Sequence, residues 1–357
     1  MRLMVLALGF LFVGINPADA GYDKPYIGET KVYKAKYEDT FVHLARDNNL
    51  GYVEIRAANP DADPWIPGEG RELILPLRHI LPDAKRDGVV INLPEMRLYA
   101  FINGDGAPET FPLGVGREGL ETPVGQTKVV RKTADPVWRP TKRMREEDPE
   151  LPAVVEAGPE NPLGSHALYL GWPQYAIHGT NKPFGIGRRV SSGCIRMYPE
   201  GIAKFYELIP VGTKVTVVNQ PIKLAWIDDE LYLEAHPDMA QAIQMEETGQ
   251  VSRQKLTDAD MQQIIKVAGD YKDRLHWAAI RTAIRDRRGF PVKIGRRPAA
   301  LRDIPSALES QEEAVKDVNW EEEDRKAREV LEEIYEEDGS EKEASYEAPG
   351  KKRTLNP

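Results

Sequence analysis

The sequence predicts an α+β protein that is mainly β and is assembled from several units in series. Three observations carry that expectation. Short runs rich in Val, Ile, Leu, Tyr and Phe recur between Gly88 and Asn219, each bounded by Gly, Pro or Asn. Helical spacing is confined to brief stretches around residues 41–58 and 199–208 and to one longer stretch near residues 257–285. The chain also carries 28 Pro and 29 Gly, a composition suited to many turns. With 357 residues, 41% of them apolar, it has room for two or three cored domains at about 100–200 residues each.

At the N-terminus, Arg2 precedes an apolar run from Leu3 to Ile15 that ends in Ala18-Asp19-Ala20. A basic start, an apolar run of about 7–15 residues and a small-x-small end describe a secretory signal peptide, here residues 1–20. The alternative is a buried N-terminal helix or strand. The run is too short to span a bilayer, which takes about 20 residues, and no later stretch is a transmembrane candidate. The mature chain is therefore expected to begin near Gly21, to be exported and to remain soluble. At the other end, residues 306–357 hold 17 acidic and 8 basic side chains, whereas residues 1–305 hold 40 of each. The net charge of −9 thus resides in the tail, and a basic nucleic-acid footprint is not expected. Residues 305–357 read as a disordered or interaction tail.

Residues 26–79 read as a small unit. Val32-Tyr33 predicts a strand, Asp39 or Thr40 can cap a helix through Phe41, Leu44 and Ala45, and a second helix fits Tyr52 to Ala58, ending at Asn59-Pro60. Pro64-Trp65-Ile66-Pro67-Gly68 is a turn before the strand Glu72 to Pro76. This strand–helix–helix–strand order resembles a LysM module, although Glu38 stands where the usual glycine precedes Asp-Thr. The resemblance implies binding to the glycan strands of peptidoglycan; a connector of the same shape that no longer binds glycan is the alternative.

Residues 86–219 form the strand-rich part, with strands expected at 89–92, 97–101, 127–130, 167–170 and 214–218. One helix is expected from Pro199 to Leu208, with Ile202, Phe205 and Tyr206 on one face, ending before Pro210. Residues 220–300 predict a strand pair followed by one long helix. Thr257 caps it, and Ile264, Ile265, Ala268, Tyr271, Leu275, Ala278 and Ala283 keep helical spacing to about Arg285. His276 and Trp277 read as packing residues on that helix.

The chemistry concentrates in Tyr175-Ala176-Ile177-His178-Gly179-Thr180 and Ser191-Ser192-Gly193-Cys194-Ile195-Arg196. Cys194 is the only cysteine, so an intramolecular disulfide is excluded, and an unpaired thiol in an exported protein is a reactive-group candidate. The bland alternative is a buried small hydrophobe. A free thiol with pKa about 8.5 is only a few per cent ionised at neutral pH, so it needs a base. His178 ends an apolar strand before Gly179 and can project from a sheet edge. Small residues ahead of Cys194 let the amides of Gly193 and Cys194 approach an oxyanion, and Arg196 can bind a substrate carboxylate. Spacing leaves the Cys/His pair and a structural reading both open. Metal binding is not expected, because there is no second cysteine and His43, His79, His166, His236 and His276 form no short ligand spacing.

His178-Gly179-Thr180 followed by Ser191-x-Gly193-Cys194-Ile195-Arg196 resembles the signature of the YkuD-type L,D-transpeptidases. Further segments, among them Thr122-Pro123-Val124-Gly125, Trp138-Arg139-Pro140-Thr141 and Asn161-Pro162-Leu163-Gly164, are similar to the exported, LysM-bearing, ErfK/YbiS-like branch. The resemblance implies a β-sandwich or barrel-like catalytic domain in a periplasmic enzyme, with no cofactor. It implies that Cys194 attacks the carbonyl on the L-centre of diaminopimelate in a tetrapeptide stem and expels D-Ala, with His178 as the base. An amine then resolves the thioester: a second stem gives a 3→3 cross-link, and a lysine of an outer-membrane lipoprotein gives a tether. Gly193, Ser192, Ser191, Arg196, Gly179 and Tyr175 are implied to line the substrate or oxyanion site, with a turn-forming role as the alternative for Ser191. Trp138 and Asn161 either shape the donor groove or serve packing and turns. Ser192 departs from the family, in which many members carry His. Two rivals remain: a hydrolase using the same pair, and a non-catalytic wall-binding protein.

Overall fold

The computed structural model describes residues 22–102, 104–249 and 252–298. The expected signal peptide (1–20) and acidic tail (305–357) lie outside the described residues. Strands β1 (Tyr26–Ile27) and β2 (Lys31–Lys34) lead to helices α1 (Phe41–Asp47) and α2 (Tyr52–Ala58), then β3 (Glu72–Leu75) and β4 (His79–Ile80). Thr40 is the cap of α1, its hydroxyl accepting from the His43 amide, while Asp39 holds Tyr33 Oη and the Lys36 amide. Helix α2 ends at Asn59 because Pro60 follows, and the Asn59 side-chain Nδ2 donates to the carbonyls of Ile55 and Ile74. Every residue of α2 is buried, including Glu54 and Arg56. A helix buried all round is a joint between larger bodies rather than a surface element.

The middle of the chain forms β5 (Gly88–Asn92), β6 (Arg97–Phe101), β7 (Glu109–Pro112), β8 (Val115–Gly116), β9 (Gly125–Ala134), α3 (Lys142–Glu147), β10 (His166–Leu170), β11 (Ala176–His178), β12 (Arg189–Ser191), β13 (Ile195–Arg196), α4 (Pro199–Leu208) and β14 (Lys214–Val218). Eight of these strands pair in the order β13-β11-β10-β9-β14-β5-β6-β7. The two ends of that order meet: Gly114, just past β7, exchanges both main-chain hydrogen bonds with Arg196 of β13, at 2.9 and 2.8 Å. The sheet thus closes on itself in a barrel-like way, and α4 plugs it with Ile202 and Phe205, the latter edge-on to Phe111.

The C-terminal part holds β15 (Ile222–Ile227), β16 (Glu230–Ala235), α5 (Met239–Thr248), α6 (Asp258–Ala268), α7 (Trp277–Asp286) and β17 (Val292–Arg296). The expected strand pair gains a third member, since β17 adds to β16. The single long helix expected here is instead two. Thr257 does cap α6, but Gly269 takes φ 57° and ψ −124°, a 3-10 turn runs to Arg274, and Leu275 is extended. Apolar spacing continues in phase across this break, so periodicity alone reads one helix. Trp277 packs on the small core of this part, while His276 is exposed at the start of α7. No helix among the described residues is long and apolar enough to cross a membrane.

A buried set of charges ties the three parts together. Glu54 of α2 pairs with Arg97 of β6 at 2.7 Å, and Lys223 of β15 stands 2.8 Å from both Glu95 and Glu234. Tyr99 Oη donates to Glu95, and Glu234 also accepts from the Ile80 amide at 2.5 Å. Burial opposes the charge on Glu95, yet Lys223 and the neighbouring histidines hold its carboxyl well below the ordinary range. Removing one member of such a set strands the others in the interior. Lys223→Ala is expected to cost about 3–5 kcal/mol of stability, read as a lowered urea midpoint; a loss under about 1 kcal/mol would show that water replaces the ammonium.

Candidate active site

Strands β11 and β13 run side by side and parallel, with Ile177 opposite Ile195 and His178 opposite Arg196. Cys194 therefore lies one residue before β13, level with Ala176, whose amide favours the thiolate. The segments on either side of residues 180–193 thus meet on neighbouring strands. The thiol is half-buried and faces the carbonyl of Gln174 at 3.4 Å. Gln174 itself is held at φ 69°, a left-handed conformation that turns this carbonyl toward the sulfur.

His178 is buried. Its Nδ1 lies 2.6 Å from the Gly179 carbonyl, which only accepts, so Nδ1 carries the proton and Nε2 keeps its lone pair. Burial first, and the Arg196 guanidinium second, push the ring's pKa down to about 4 against the carbonyls of Gly179 and Leu163. Burial likewise raises the Cys194 pKa, opposed by the Ala176 amide and by Arg196. Both groups are thus neutral at pH 7, a thiol and an imidazole. Arg196 has no carboxylate partner among the described residues, and its Nε is buried without a hydrogen-bond partner.

The turn before Cys194 is built from its own residues. Ser191 is buried, its hydroxyl donating to the Cys194 carbonyl and accepting from the Gly193 amide at 3.2 Å. The structure thus puts Ser191 inside the turn and off the groove wall, and the Gly193 amide is engaged there. Gly193 adopts φ 105°, and a Cβ would lie 3.0 Å from the Tyr175 ring, so only glycine fits beneath that tyrosine. The Gly179 amide is spent on the His166 carbonyl, leaving Gly179 to act through its own carbonyl on His178. Thr122 contributes unforeseen support, donating to the Gly193 carbonyl at 2.8 Å.

Cys194, Ser192 and Tyr175 open onto a groove of about 1040 Å³ walled by Trp138, Trp172 and Tyr169. Ser192, Trp138 and Met144 also border a second lobe of about 590 Å³ that Arg196 and Lys182 line. The segment carrying α3 borders both lobes and is latched by Arg117 to Glu147 at 3.3 Å. Asn161 is fully buried and donates to the carbonyls of Pro136, Val155 and Glu156, so it organises this loop from behind. Away from the groove, His79, Glu95 and Glu234 bring ligand atoms within 4.8 Å of one another. Lys223 already supplies a cation between the two carboxylates there.

The YkuD family, described as the L,D-transpeptidase catalytic domain, matches residues 86–217. The probable L,D-transpeptidase YbiS of Escherichia coli K12 is 38% identical over 258 residues, which is 71% of this chain and 82% of that protein. The probable L,D-transpeptidase ErfK/SrfK of the same strain is 44% identical over 55% of this chain and 65% of its own. YcfS, also of that strain and also a probable L,D-transpeptidase, is 41% identical over 56% and 65%. The likeness to YbiS runs well beyond the matched catalytic segment into the flanking parts. This chain belongs to the YkuD family of L,D-transpeptidases.

Proposed function

We propose that the protein is a periplasmic peptidoglycan L,D-transpeptidase in which Cys194 is the nucleophile and His178 the base. The observation that carries this reading is a half-buried thiol one residue before β13, the strand paired with that of His178, open to a large groove. The sulfur attacks the carbonyl of the third residue of a tetrapeptide stem, and Nε2 of His178 takes the thiol proton. That proton passes to the departing amine of D-Ala, leaving a thioester. An incoming amine then attacks the thioester, giving its proton to His178 and restoring the thiol. Arg196, charged and without a carboxylate partner, suits a carboxylate of the stem, and Ser192 and Tyr175 form the wall beside the sulfur. Export through residues 1–20 and glycan binding by the LysM-like unit of residues 26–79 belong to the same proposal. Exposed Tyr37, Trp65 and Ile66 on the loops of that unit support the latter.

With purified residues 21–357 and a disaccharide-tetrapeptide, wild type is expected to release D-Ala and form an amide-linked dimer, while Cys194→Ala does neither. Release with only hydrolysed tripeptide would favour a protein lysine or water as acceptor. No release from wild type would sink the enzymatic reading and favour a wall-binding protein. A carbapenem, which presents a strained carbonyl, is expected to add its mass to wild type and not to Cys194→Ala.

The neutral pair makes a separate prediction. His178 has a folded pKa near 4 against about 6.5 when unfolded. The folded protein therefore binds fewer protons between these values, and this contribution to stability is complete above about pH 6.5 and fades as pH falls toward 4. Because the Cys194 pKa is raised, alkylation by iodoacetamide is expected to keep accelerating above pH 8.5. A rate already level from pH 6 upward would reveal a preformed thiolate–imidazolium pair and overturn the general-base assignment.

A further inference from the structure

We propose that the N-terminal βααβ unit and helix α5 position the loop that carries the nucleophile, so that both belong to the catalytic apparatus; the proposal rests on the catalytic reading of Cys194. The loop in question joins β11 to β13 across residues 179–194. At its centre, the carbonyls of Ile186 and Gly187 accept from the amides of Tyr52 and Val53, the first two residues of α2, at 3.3 and 3.1 Å. These are amides that a helix start leaves without intrahelical partners. The loop supplies the acceptors, and α2 in turn fixes the loop.

The contact is a crossing of two glycines. A Cβ at Gly187 would lie 2.1 Å from the Tyr52 nitrogen, and one at Gly51 would lie 2.7 Å from the Gly187 Cα. Any side chain at either position would force the loop off the helix. Immediately after the crossing, the Arg188 guanidinium lies 3.6 Å from the centre of the Tyr52 ring. Glu246 of α5 closes the other side, meeting Arg188 Nη1 with one carboxylate oxygen and the Arg189 amide with the other, both at 3.4 Å. The loop is thus gripped between α2 and α5 over residues 186–189.

From that grip the placement passes directly to the nucleophile. Strand β12 follows at once, pairing Arg189 with Val115 and Ser191 with Gly116, and the Arg117 amide holds the Ser191 carbonyl at 3.0 Å. Ser191 then closes the turn onto Cys194. Helix α2 cannot yield, because Glu54 anchors it to Arg97 of the central sheet and Arg56 reaches the Gly249 carbonyl at the end of α5. Glu246, Tyr52 and Val53 touch neither groove lobe and act through the loop, so they are positioning residues.

Glu246→Ala tests this, with Glu246→Gln as its conservative partner because a side-chain amide oxygen still accepts from the Arg189 amide. The proposal expects Glu246→Ala to lower kcat for D-Ala release, and the rate of carbapenem acylation, about tenfold. KM and retention on insoluble peptidoglycan stay at wild-type values, and Glu246→Gln recovers most of the loss. Amide exchange in residues 183–193 should quicken in Glu246→Ala, a readout that needs no activity. Unchanged exchange, a kcat within twofold of wild type, or a rise in KM alone overturns the proposal. Equal loss in Glu246→Gln also overturns it, since charge rather than placement would then matter. Should Glu246→Ala fail to fold, Arg188→Ala removes the loop's half of the grip and is judged by the same criteria. An inactive wild type would sink the catalytic reading; an active wild type matched by its variants would sink only this one.

Discussion

The three described parts of the chain meet at charges that water cannot reach. Glu54, Glu95 and Glu234 come from three separate stretches of the chain, and Arg97 and Lys223 are the cations that make their burial tolerable. Such pairs contribute little net stability, because desolvation offsets most of the attraction. Their force is selective: a misdocked arrangement would leave an ion in the interior with no partner. That explains how a seven-residue helix, α2, can be wrapped on every side and still take one orientation. It also explains why β4 and β15 lie together, since Lys223 donates to the Ile80 carbonyl while Glu234 accepts from the Ile80 amide.

The site inherits its geometry from sheet closure. Gly114 and Arg196 join the ends of the eight-strand order, and the residues around that seam are those with chemical capacity. Cys194 lies one residue before β13, outside the paired stretch, so its thiol is half-buried and still faces a groove. Burial keeps both the thiol and the imidazole uncharged, and the fixed Gly179 carbonyl chooses which ring nitrogen is basic. Tyr169, Trp172 and Tyr175 wall the lobe at Cys194, while Lys182 and Arg196 line the other beside Glu147 and Asp148.

Local chemistry was legible in the sequence wherever it was self-contained. The Thr40 and Thr257 caps, the Asn59-Pro60 stop and the limits of α2 and α4 all follow from neighbouring residues, as do β5, β6, β10 and β14. The family resemblance rested on equally local turns around His178 and Cys194, and it agrees with the family to which the chain belongs. What escaped depends on distant partners. Strands β7, β8, β12 and β13 are too short to show alternation and are defined by their partners, β7 by β6, β8 and β12 by each other, and β13 by β11. The break at Gly269 is invisible to periodicity, and α5 buries little more than Ala242, Met245 and Gln241. Ser191 and Gly179 have the right composition for a substrate wall, yet each is consumed by a hydrogen bond that only the folded turn reveals.

The crossing of Gly51 and Gly187 also sets a clock. Contacts near it join residues far apart along the chain: Arg56 to Gly249 spans 193 positions, and Arg288 to the Ala58 carbonyl spans 230. Long separations close late, because loop entropy must be overcome before the contacts reward it. An emerging chain that has reached Cys194 already contains every atom of the thiol and imidazole, but not Glu246 or Arg288. Cys194 therefore acquires its final setting only once Glu246 and Arg288 are in place, and a shorter chain carries the thiol without the contacts that hold its loop.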